Sequence, residues 1–168
     1  TLGVFGSADL DYKDFLFVTL QARNDWVSNL PKENNSMFYP SASVSFLPTS
    51  MDENLKSENL SYLKVRAGYG TSAGFPGGYP TVNTVAQSTN VNGGAAGGII
   101  TNSVSNFQAN PDLKPELLGE LEFGFDARVW QNRIGINASY FERTSKDLIV
   151  FKPLPTSSGY TSTQDHIG

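Results

Sequence analysis

The sequence predicts an all-β protein built from antiparallel strands, on the basis of three observations. Apolar residues occupy every second position in runs of about ten, as where Leu63, Val65 and Ala67 alternate with Lys64 and Arg66. Tight turns and long polar segments separate these runs in alternation. No apolar run approaches the ~18 residues of a transmembrane helix. Because strand side chains alternate across a sheet, each run must contact two different environments.

Six runs are predicted as strands, and each has an apolar face with four to six positions that carry no charged residue. In chain order they cover residues 2–11, 14–24, 37–48, 62–71, 116–130 and 133–146. Charges of both signs, interspersed with small residues such as Ser41 and Ser43, occupy the opposite face. We expect eight charged residues to line this polar face: Arg23, Lys64, Arg66, Glu120, Glu122, Asp126, Arg128 and Arg133. Glu120 and Glu122 are expected to form salt bridges there rather than to act as catalytic carboxylates.

Two fold classes would place such a sheet between two environments. A soluble β-sandwich or β-roll has a core on one side and water on the other, whereas a transmembrane barrel has lipid outside and a polar lumen. Runs of this length suffice for a tilted strand to cross a bilayer. Aromatic residues near the run ends resemble a membrane-interface girdle: Trp26, Phe38, Tyr39, Tyr69, Trp130, Tyr140 and Phe141. Alternation alone leaves both classes open.

The connections between the runs alternate between short and long. The shorter ones are expected at 12–14, 49–61 and 130–133, and the longer ones at 25–36, 72–115 and from 152 onward. Outer-membrane barrels have short periplasmic turns and long extracellular loops. In a barrel, every second connection of this chain would therefore fall on the same side of the membrane, with the long ones outside.

The segment 72–115 is predicted as a long irregular loop with many glycines. Loops of this length are usually functional or disordered. Its aromatic residues Phe75, Tyr79 and Phe107 could stack on a ligand, although packing of the loop against its neighbours is the favoured explanation. Trp26, at the end of the second run, is a further candidate for contact with a ligand or a partner protein.

The composition narrows the function classes. The chain has 168 residues and a formal charge of −4, which disfavours a nucleic-acid-binding surface. The absence of cysteine excludes disulfides and thiolate metal sites. His166 is the only histidine, so neither a histidine-based metal cluster nor a Ser-His-Asp triad is expected. We predict no cofactor and no enzymatic activity.

The two ends carry neither a signal peptide nor a closing signal, so we expect both to be cut from something longer. Six strands are too few to enclose a large solute, and open sheet edges are not viable in lipid. A barrel interpretation therefore requires further strands from the rest of the protein.

Six sequence blocks resemble the SusC/RagA family of TonB-linked outer-membrane receptors. They have the family's order and spacing: 12–15 (YKDF), 22–28 (ARNDWVS), 38–41 (FYPS), 63–70 (LKVRAGYG), 110–116 (NPDLKPE) and 140–149 (YFERTSKDLI). They resemble, among other patterns, the family's Arg-x-Asp-x-x-Ser strand end and its Asn-Pro-x-Leu-Lys-x-Glu block. The chain departs from the family at Asn29, where a second serine is common, and in the glycine-rich stretch 93–98.

The resemblance implies that residues 1–168 belong to the C-terminal half of a transmembrane β-barrel of about 22 strands. It implies the outer membrane of a Gram-negative, Bacteroidetes-like cell, with the plug domain lying outside this chain. The whole protein would import glycans or peptides, with a SusD-like surface lipoprotein as lid and TonB–ExbB–ExbD acting through the plug. Outer-membrane lipid would then contact the apolar faces, and the eight charged residues would face the lumen. A soluble β-rich carbohydrate-binding or adhesin module is the alternative.

Overall fold

The computed structural model describes residues 1–90 and 99–167, so the predicted glycine-rich stretch 93–98 lies outside the described residues. The chain divides into two units. The sheet unit comprises Thr1–Trp26, Ser36–Gly74 and Leu117–Lys146, and the loop unit comprises Val27–Asn35, Phe75–Glu116 and Asp147–Gly168.

The described residues form mostly strands. In chain order these are β1 (Leu2–Tyr12), β2 (Leu16–Trp26), β3 (Ser36–Phe46), β4 (Leu60–Gly74), β5 (Val85–Asn90), β6 (Ile99–Val104), β7 (Phe107–Gln108), β8 (Glu116–Val129), β9 (Ile134–Lys146), β10 (Leu148–Pro153) and β11 (Ser162–Ile167). One short α-helix covers Pro48–Met51, and 3-10 helices cover Glu53–Leu55 and Thr156–Ser158. Within the described ranges, none of these helices has the length and hydropathy needed to cross a membrane.

The sheet unit confirms the predicted all-β, antiparallel fold. Its six strands form one sheet in the order β1-β2-β3-β4-β8-β9, and they correspond to the six predicted runs. Strands β1 to β4 pair antiparallel with their neighbours in chain order, as do β8 and β9. The tight turns between β1 and β2 and between β8 and β9 return the chain directly alongside the previous strand, and longer connections join β2 to β3 and β3 to β4.

The register of the strands keeps the two faces separate across the sheet. One row of paired residues is apolar and runs from Leu10 through Val18, Val44 and Ala67. The adjacent row is polar and runs through Asp9, Thr19, Ser43 and Gly68. Because the side-chain period of a strand is two, a one-residue slip would mix these rows. The alternation in the sequence therefore fixes the register.

The apolar face of the sheet is not covered by a core. Leu10 is 60% exposed, Val65 43% and Phe125 41%. Among the described residues of the sheet unit, Ala127 alone is a buried hydrophobic residue. A soluble domain rarely exposes so large a contiguous apolar surface. The sheet therefore has the apolar exterior that a lipid-facing barrel wall requires.

Aromatic residues cluster at the end of the sheet that carries the tight turns. Tyr12, Phe15 and Phe46 form a chain of edge-to-face contacts, with ring centroids 5.4 and 6.1 Å apart. This cluster adds Phe15 and Phe46 to the predicted girdle. Two predicted girdle residues lie on the other face, because Tyr39 pairs in register with Arg23 and Phe141 pairs with Glu122.

The two tight turns adopt left-handed backbone conformations without glycine. Lys13 and Asp14 have φ of 50° and 56°, and the N–H of Phe15 donates to the carbonyl of Tyr12 at 3.3 Å. Positive φ at both central residues matches the type I′ hairpin turn that suits the twist of paired strands. Trp130, Gln131 and Asn132 also have positive φ.

Replacing Asp14 with glycine is expected to stabilise the hairpin by about 0.5–1 kcal/mol, because glycine adopts positive φ without the steric cost of a Cβ. The free energy of unfolding of the full-length protein in lipid vesicles would measure this. Ser7→Gly, inside a strand, is the control and should destabilise instead. A loss of stability in Asp14→Gly would contradict the assigned turn.

The loop unit has a small core of its own. Val27, Leu30 and Leu113 are buried together, and Phe75 and Ile149 pack against them. Strands β10, β11 and β7 form a three-stranded sheet, and β5 pairs with β6 in a hairpin. The segment 72–115 therefore contains regular structure where the sequence predicts an irregular loop. The sequence does not predict β5 and β6, because both strands are short and rich in Thr, Ser and Asn and lack a clear apolar alternation.

Candidate functional site: polar face and loop core

Arg66 is the centre of an ion-pair network on the polar face. Its Nη1 lies 2.7 Å from Asp126 Oδ2, its Nη2 donates to Ser139 Oγ at 2.6 Å, and its Nε lies 3.5 Å from Glu122 Oε1. Asn137 donates a further hydrogen bond to Asp126. The network joins β4, β8 and β9, and strands β4 and β8 are separated by more than forty residues of chain.

Gly124 leaves the space that the Arg66 guanidinium occupies. A Cβ at this position would lie 2.7 Å from Arg66 Nε and 2.9 Å from its Cζ. A Cβ atom essentially never makes non-bonded contacts this short, so a side chain at Gly124 would displace the guanidinium from Asp126. Gly124 therefore positions the network without contributing a polar atom.

Two further predicted polar-face residues, Glu120 and Arg128, have a partner of opposite charge or an aromatic ring, and Lys64 and Arg133 are placed as follows. Glu120 Oε2 accepts from Arg143 Nε at 2.7 Å, across the β8–β9 pair. The guanidinium of Arg128 lies over the Tyr62 ring, 5.8 Å from its centroid. Lys64 lines a shallow cavity of about 310 Å³ together with Asp126 and Arg128. Arg133 lies in the turn between β8 and β9, outside both strands.

A second polar cluster lies at the far end of β2. Arg23 Nε donates to Asp25 Oδ1 at 2.8 Å, and the Tyr39 hydroxyl donates to the other carboxylate oxygen. Residues i and i+2 share a strand face, so the Arg-x-Asp pattern places the two side chains side by side. Asp25 is almost fully buried. Gly3 lies opposite, where any Cβ would overlap the Asp25 carboxylate.

Between these two clusters the polar face forms a trough of about 450 Å³. Its floor consists of small residues and its sides carry hydroxyl, amide and paired charged groups. The floor and one side are lined by Thr19, Gln21, Ser41, Ser43, Gly68 and Gly70. Glu120 and Arg143 line the other side. Such a surface can hydrogen-bond a polar solute or a polypeptide segment, and its charges are largely neutralised in pairs.

In the loop unit, the block Asn110–Glu116 is the main connector. Leu113 is fully buried. The Asn110 side chain donates to the carbonyl of Gln164 at 2.9 Å and accepts from the N–H of Asp112 at 3.0 Å. Glu116 Oε1 accepts from the N–H of Ile149 at 2.7 Å. The Asn-Pro-x-Leu-Lys-x-Glu pattern therefore has a structural role, because it ties distant segments to one small core.

The four predicted contact aromatics occupy different environments. Phe75 packs against the buried cluster, which favours the packing interpretation for this residue. Tyr79 is 64% exposed on a loop. Phe107 makes an edge-to-face contact with Phe151, and their centroids lie 6.4 Å apart. Trp26 ends β2 on the apolar side of the sheet, in register with Leu2.

Asp165, in the loop unit, has a carboxyl group whose pKa is lowered by its neighbours. A hydrogen bond from Lys152 Nζ, 2.9 Å away, and the N–H of His166 hold the pKa of the Asp165 carboxyl below its usual range. A lowered pKa stabilises the folded unit above the ordinary Asp pKa, and this contribution is lost as the pH falls through the lowered value. Both side chains are well exposed, so the contribution is small.

Several residues of these clusters did not stand out in the sequence. Asp25 and Tyr39 were detectable only through the i, i+2 spacing with Arg23 and the strand register. Ser139 and Asn137 gave no signal, because contact with Arg66 depends on the pairing of β8 with β4. Arg143 was visible as a charge on the polar face, but its pairing with Glu120 required the register.

Replacing Arg66 with alanine is expected to lower the stability of the barrel by about 1–2 kcal/mol, since Glu122 and Asp126 would lose the cation between them. Arg66→Lys should have an intermediate effect, because lysine keeps the charge but not the planar fork. Chemical denaturation in vesicles would measure both. Arg133→Ala, in the turn, is the matched control. An Arg66→Ala effect no larger than that of Arg133→Ala would refute the network's contribution.

The sequence and the fold can be compared with known proteins. The TonB-dependent receptor P3 of Formosa agariphila is 28% identical over an alignment of 170 residues that covers 99% of this chain and 16% of that protein. The TonB-dependent receptor P26 of the same organism is 26% identical over 166 residues, covering 98% of this chain and 16% of that protein. The chain thus spans about one sixth of the length of these curated relatives.

The fold is similar to that of solved structures. The RagAB peptide transporter superposes with a TM-score of 0.82 at 24% identity, covering 99% of this chain and 18% of the solved chain. The RagAB peptide importer in its "closed-closed" state gives 0.84 with the same identity and coverage. The family model described as "TonB dependent receptor-like, beta-barrel" matches residues 1–166. The chain therefore belongs to the family of TonB-dependent receptor-like β-barrels.

Proposed function

We propose that this chain is part of the barrel of a SusC-like outer-membrane importer. The whole protein would take up oligosaccharides or peptides, with a SusD-like surface lipoprotein as partner and with energy from TonB–ExbB–ExbD. The observation that carries the proposal is the two-faced sheet, which is apolar and exposed on one side and polar and ion-paired on the other. Membership of the receptor family supports an outer-membrane location.

The dimensions of the apolar face suit an outer membrane. Strand β1 has 11 residues, and every residue on its apolar face is uncharged. At ~3.3 Å per residue and a tilt of about 40°, such a strand covers about 25–28 Å of membrane height. The apolar band of outer-membrane barrels is about 25 Å tall. In the membrane, lipid would therefore cover the exposed apolar side chains, whose contact with water is unfavourable.

The apolar face gives way to polar residues away from the tight turns on both β9 and β2. On β9 it continues from Ile134 to Tyr140 and then becomes polar at Glu142 and Thr144. On β2 it becomes polar at Asn24. Both changes lie in the half of the strand that is farther from its tight turn. The proposed orientation places the tight turns in the periplasm and the segment 72–115 outside the cell.

The polar face suits a lumen through which polar material passes. The charges of Glu120, Glu122, Asp126, Arg66 and Arg143 are paired with one another, so a neutral glycan or a peptide would meet little unbalanced charge at these residues. The small residues of the trough floor leave room for a bulky solute or for a folded plug. The proposed role of these residues is binding and passage rather than bond chemistry.

Deletion of the full-length gene tests the proposed import. The deletion strain and its parent would be grown on a panel of single oligosaccharides and peptide mixtures as sole carbon or nitrogen source. We expect loss of growth on one class, restored by the wild-type gene. Equal growth of both strains on every substrate would refute import of these two classes.

Membrane location is tested separately from the substrate. The full-length receptor should sediment with the outer membrane, remain there after carbonate washing and require detergent for extraction. A soluble β-rich carbohydrate-binding or adhesin module would appear in the soluble fraction instead. Recovery in plain buffer as a monodisperse protein would overturn the barrel assignment.

A further inference from the structure

His166 forms hydrogen bonds through both ring nitrogens. The backbone N–H of Lys114 donates to Nε2 at 2.9 Å, and Nδ1 lies 3.1 Å from the carbonyl oxygen of Asp147. A backbone N–H can only donate, so Nε2 must be the unprotonated acceptor. Nδ1 then carries the proton and donates to Asp147. This geometry requires the neutral form of the imidazole.

The imidazole joins three separate segments of the loop unit. His166 itself lies on β11, and Lys114 lies in the connector block next to the fully buried Leu113. Asp147 separates β9 from β10 and has a positive φ of 53°. Other hydrogen bonds of the block come from the Asn110 and Glu116 side chains. Of these hydrogen bonds, the one from the Lys114 N–H to His166 Nε2 requires a neutral imidazole.

We propose that protonation of His166 breaks its hydrogen bond to Lys114 and loosens the connector block from β11. In the protonated imidazole both nitrogens carry hydrogen, so Nε2–H would face the N–H of Lys114. Two donors facing each other repel, and neither is satisfied. Histidine side chains change charge in the range of about pH 5–8. The ring is partly exposed, so solvent protons can reach it.

The segments around His166 carry several charged residues. Asp165 precedes His166, and its carboxylate accepts the backbone N–H of His166 while pairing with Lys152. Glu116 accepts from Ile149. Carboxylic acids ordinarily titrate near pH 4, below the range of about pH 5–8 in which histidine side chains change charge.

Hydrogen exchange on the full-length receptor in detergent tests the proposal. Peptides covering Asn110–Glu116 would be followed at about pH 5 and about pH 8, with rates corrected for intrinsic pH dependence. The loss of one hydrogen bond of ordinary strength predicts about tenfold faster exchange at the acidic pH. Peptides from β2 and β3 in the sheet unit should show no such change.

His166→Gln is the decisive variant. The amide oxygen of glutamine reaches the Nε2 position and accepts from Lys114, but glutamine does not titrate. We expect protection of the block to become independent of pH. An unchanged wild-type exchange rate at acidic pH, or the same acid-induced increase in His166→Gln, would overturn the proposal.

A second variant covers the case in which His166→Gln does not fold. Asp165→Asn retains the imidazole and removes the carboxylate of the preceding residue. It should keep the acid-induced increase in exchange, because the ring and its hydrogen bond to Lys114 remain. Disappearance of the increase in Asp165→Asn would assign the titration to the carboxylate and overturn the role of His166.

Discussion

Replacing Val65 with arginine is expected to destabilise the inserted barrel by about 2–4 kcal/mol. Val65 lies on the apolar face of β4, in register with Phe46, and is 43% exposed to the surroundings of the sheet. In lipid, the guanidinium would have neither water nor an ion-pair partner near the bilayer middle. Phe125→Arg on β8 should have an effect of similar size. Chemical denaturation of the full-length receptor in vesicles would measure both.

Two control variants separate the position from the substitution. Val65→Leu keeps an apolar side chain at the same place and should change stability by less than about 1 kcal/mol. Lys64→Leu places an apolar residue on the neighbouring polar face, where it meets no lipid and should be tolerated nearly as well. Equal tolerance of Val65→Arg and Lys64→Leu would show that the assignment of the two faces is wrong.

The sheet could be predicted from the sequence because one physical constraint acts on every strand. Lipid on one side and a polar surface on the other force the side chains to alternate, and the alternation also sets the register. The row from Leu10 to Ala67 follows from pairing the four alternating runs of β1 to β4 in register. Girdle residues were harder to assign, since an aromatic residue near a strand end can belong to either face. Tyr39 illustrates this, because it lies on the polar face and its hydroxyl donates a hydrogen bond to Asp25.

The site clusters could be predicted only in part, because they depend on contacts between segments far apart in the chain. Glu122 and Asp126 were visible as polar-face carboxylates. Their shared partner Arg66 depends on the pairing of β4 with β8, across a long connection that no local pattern specifies. The space left by Gly124 is similarly invisible, since glycine in a strand has several possible reasons.

The loop unit was the least predictable part for a related reason. Its core consists of a few apolar residues drawn from three separate segments, so none of them forms a periodic pattern. The Asn-Pro-x-Leu-Lys-x-Glu block was recognisable as a family feature, but the sequence did not show what it holds. The structure shows that Leu113 supplies the packing and that Asn110 and Glu116 supply the hydrogen bonds.

Replacing Leu113 with alanine is therefore expected to lower the local stability of the loop unit by about 2–5 kcal/mol, the range for a fully buried leucine that leaves a cavity. Leu113 has no exposed surface, and its neighbours Val27 and Leu30 come from another segment, so the small core cannot easily close around the gap. Faster amide exchange throughout Val27–Asn35 and Leu148–Pro153 would report the loss.

Val82→Ala provides the matched control, because Val82 belongs to the same unit but is 60% exposed and should change exchange little. Exchange in the sheet unit should stay unchanged in Leu113→Ala, since its strands are held by their own ladders. If Leu113→Ala accelerated exchange no more than Val82→Ala, the connector block would not be the core of the unit. If the effect is confined as expected, weaker ligand binding by the intact receptor would follow from the cost of ordering its loops again.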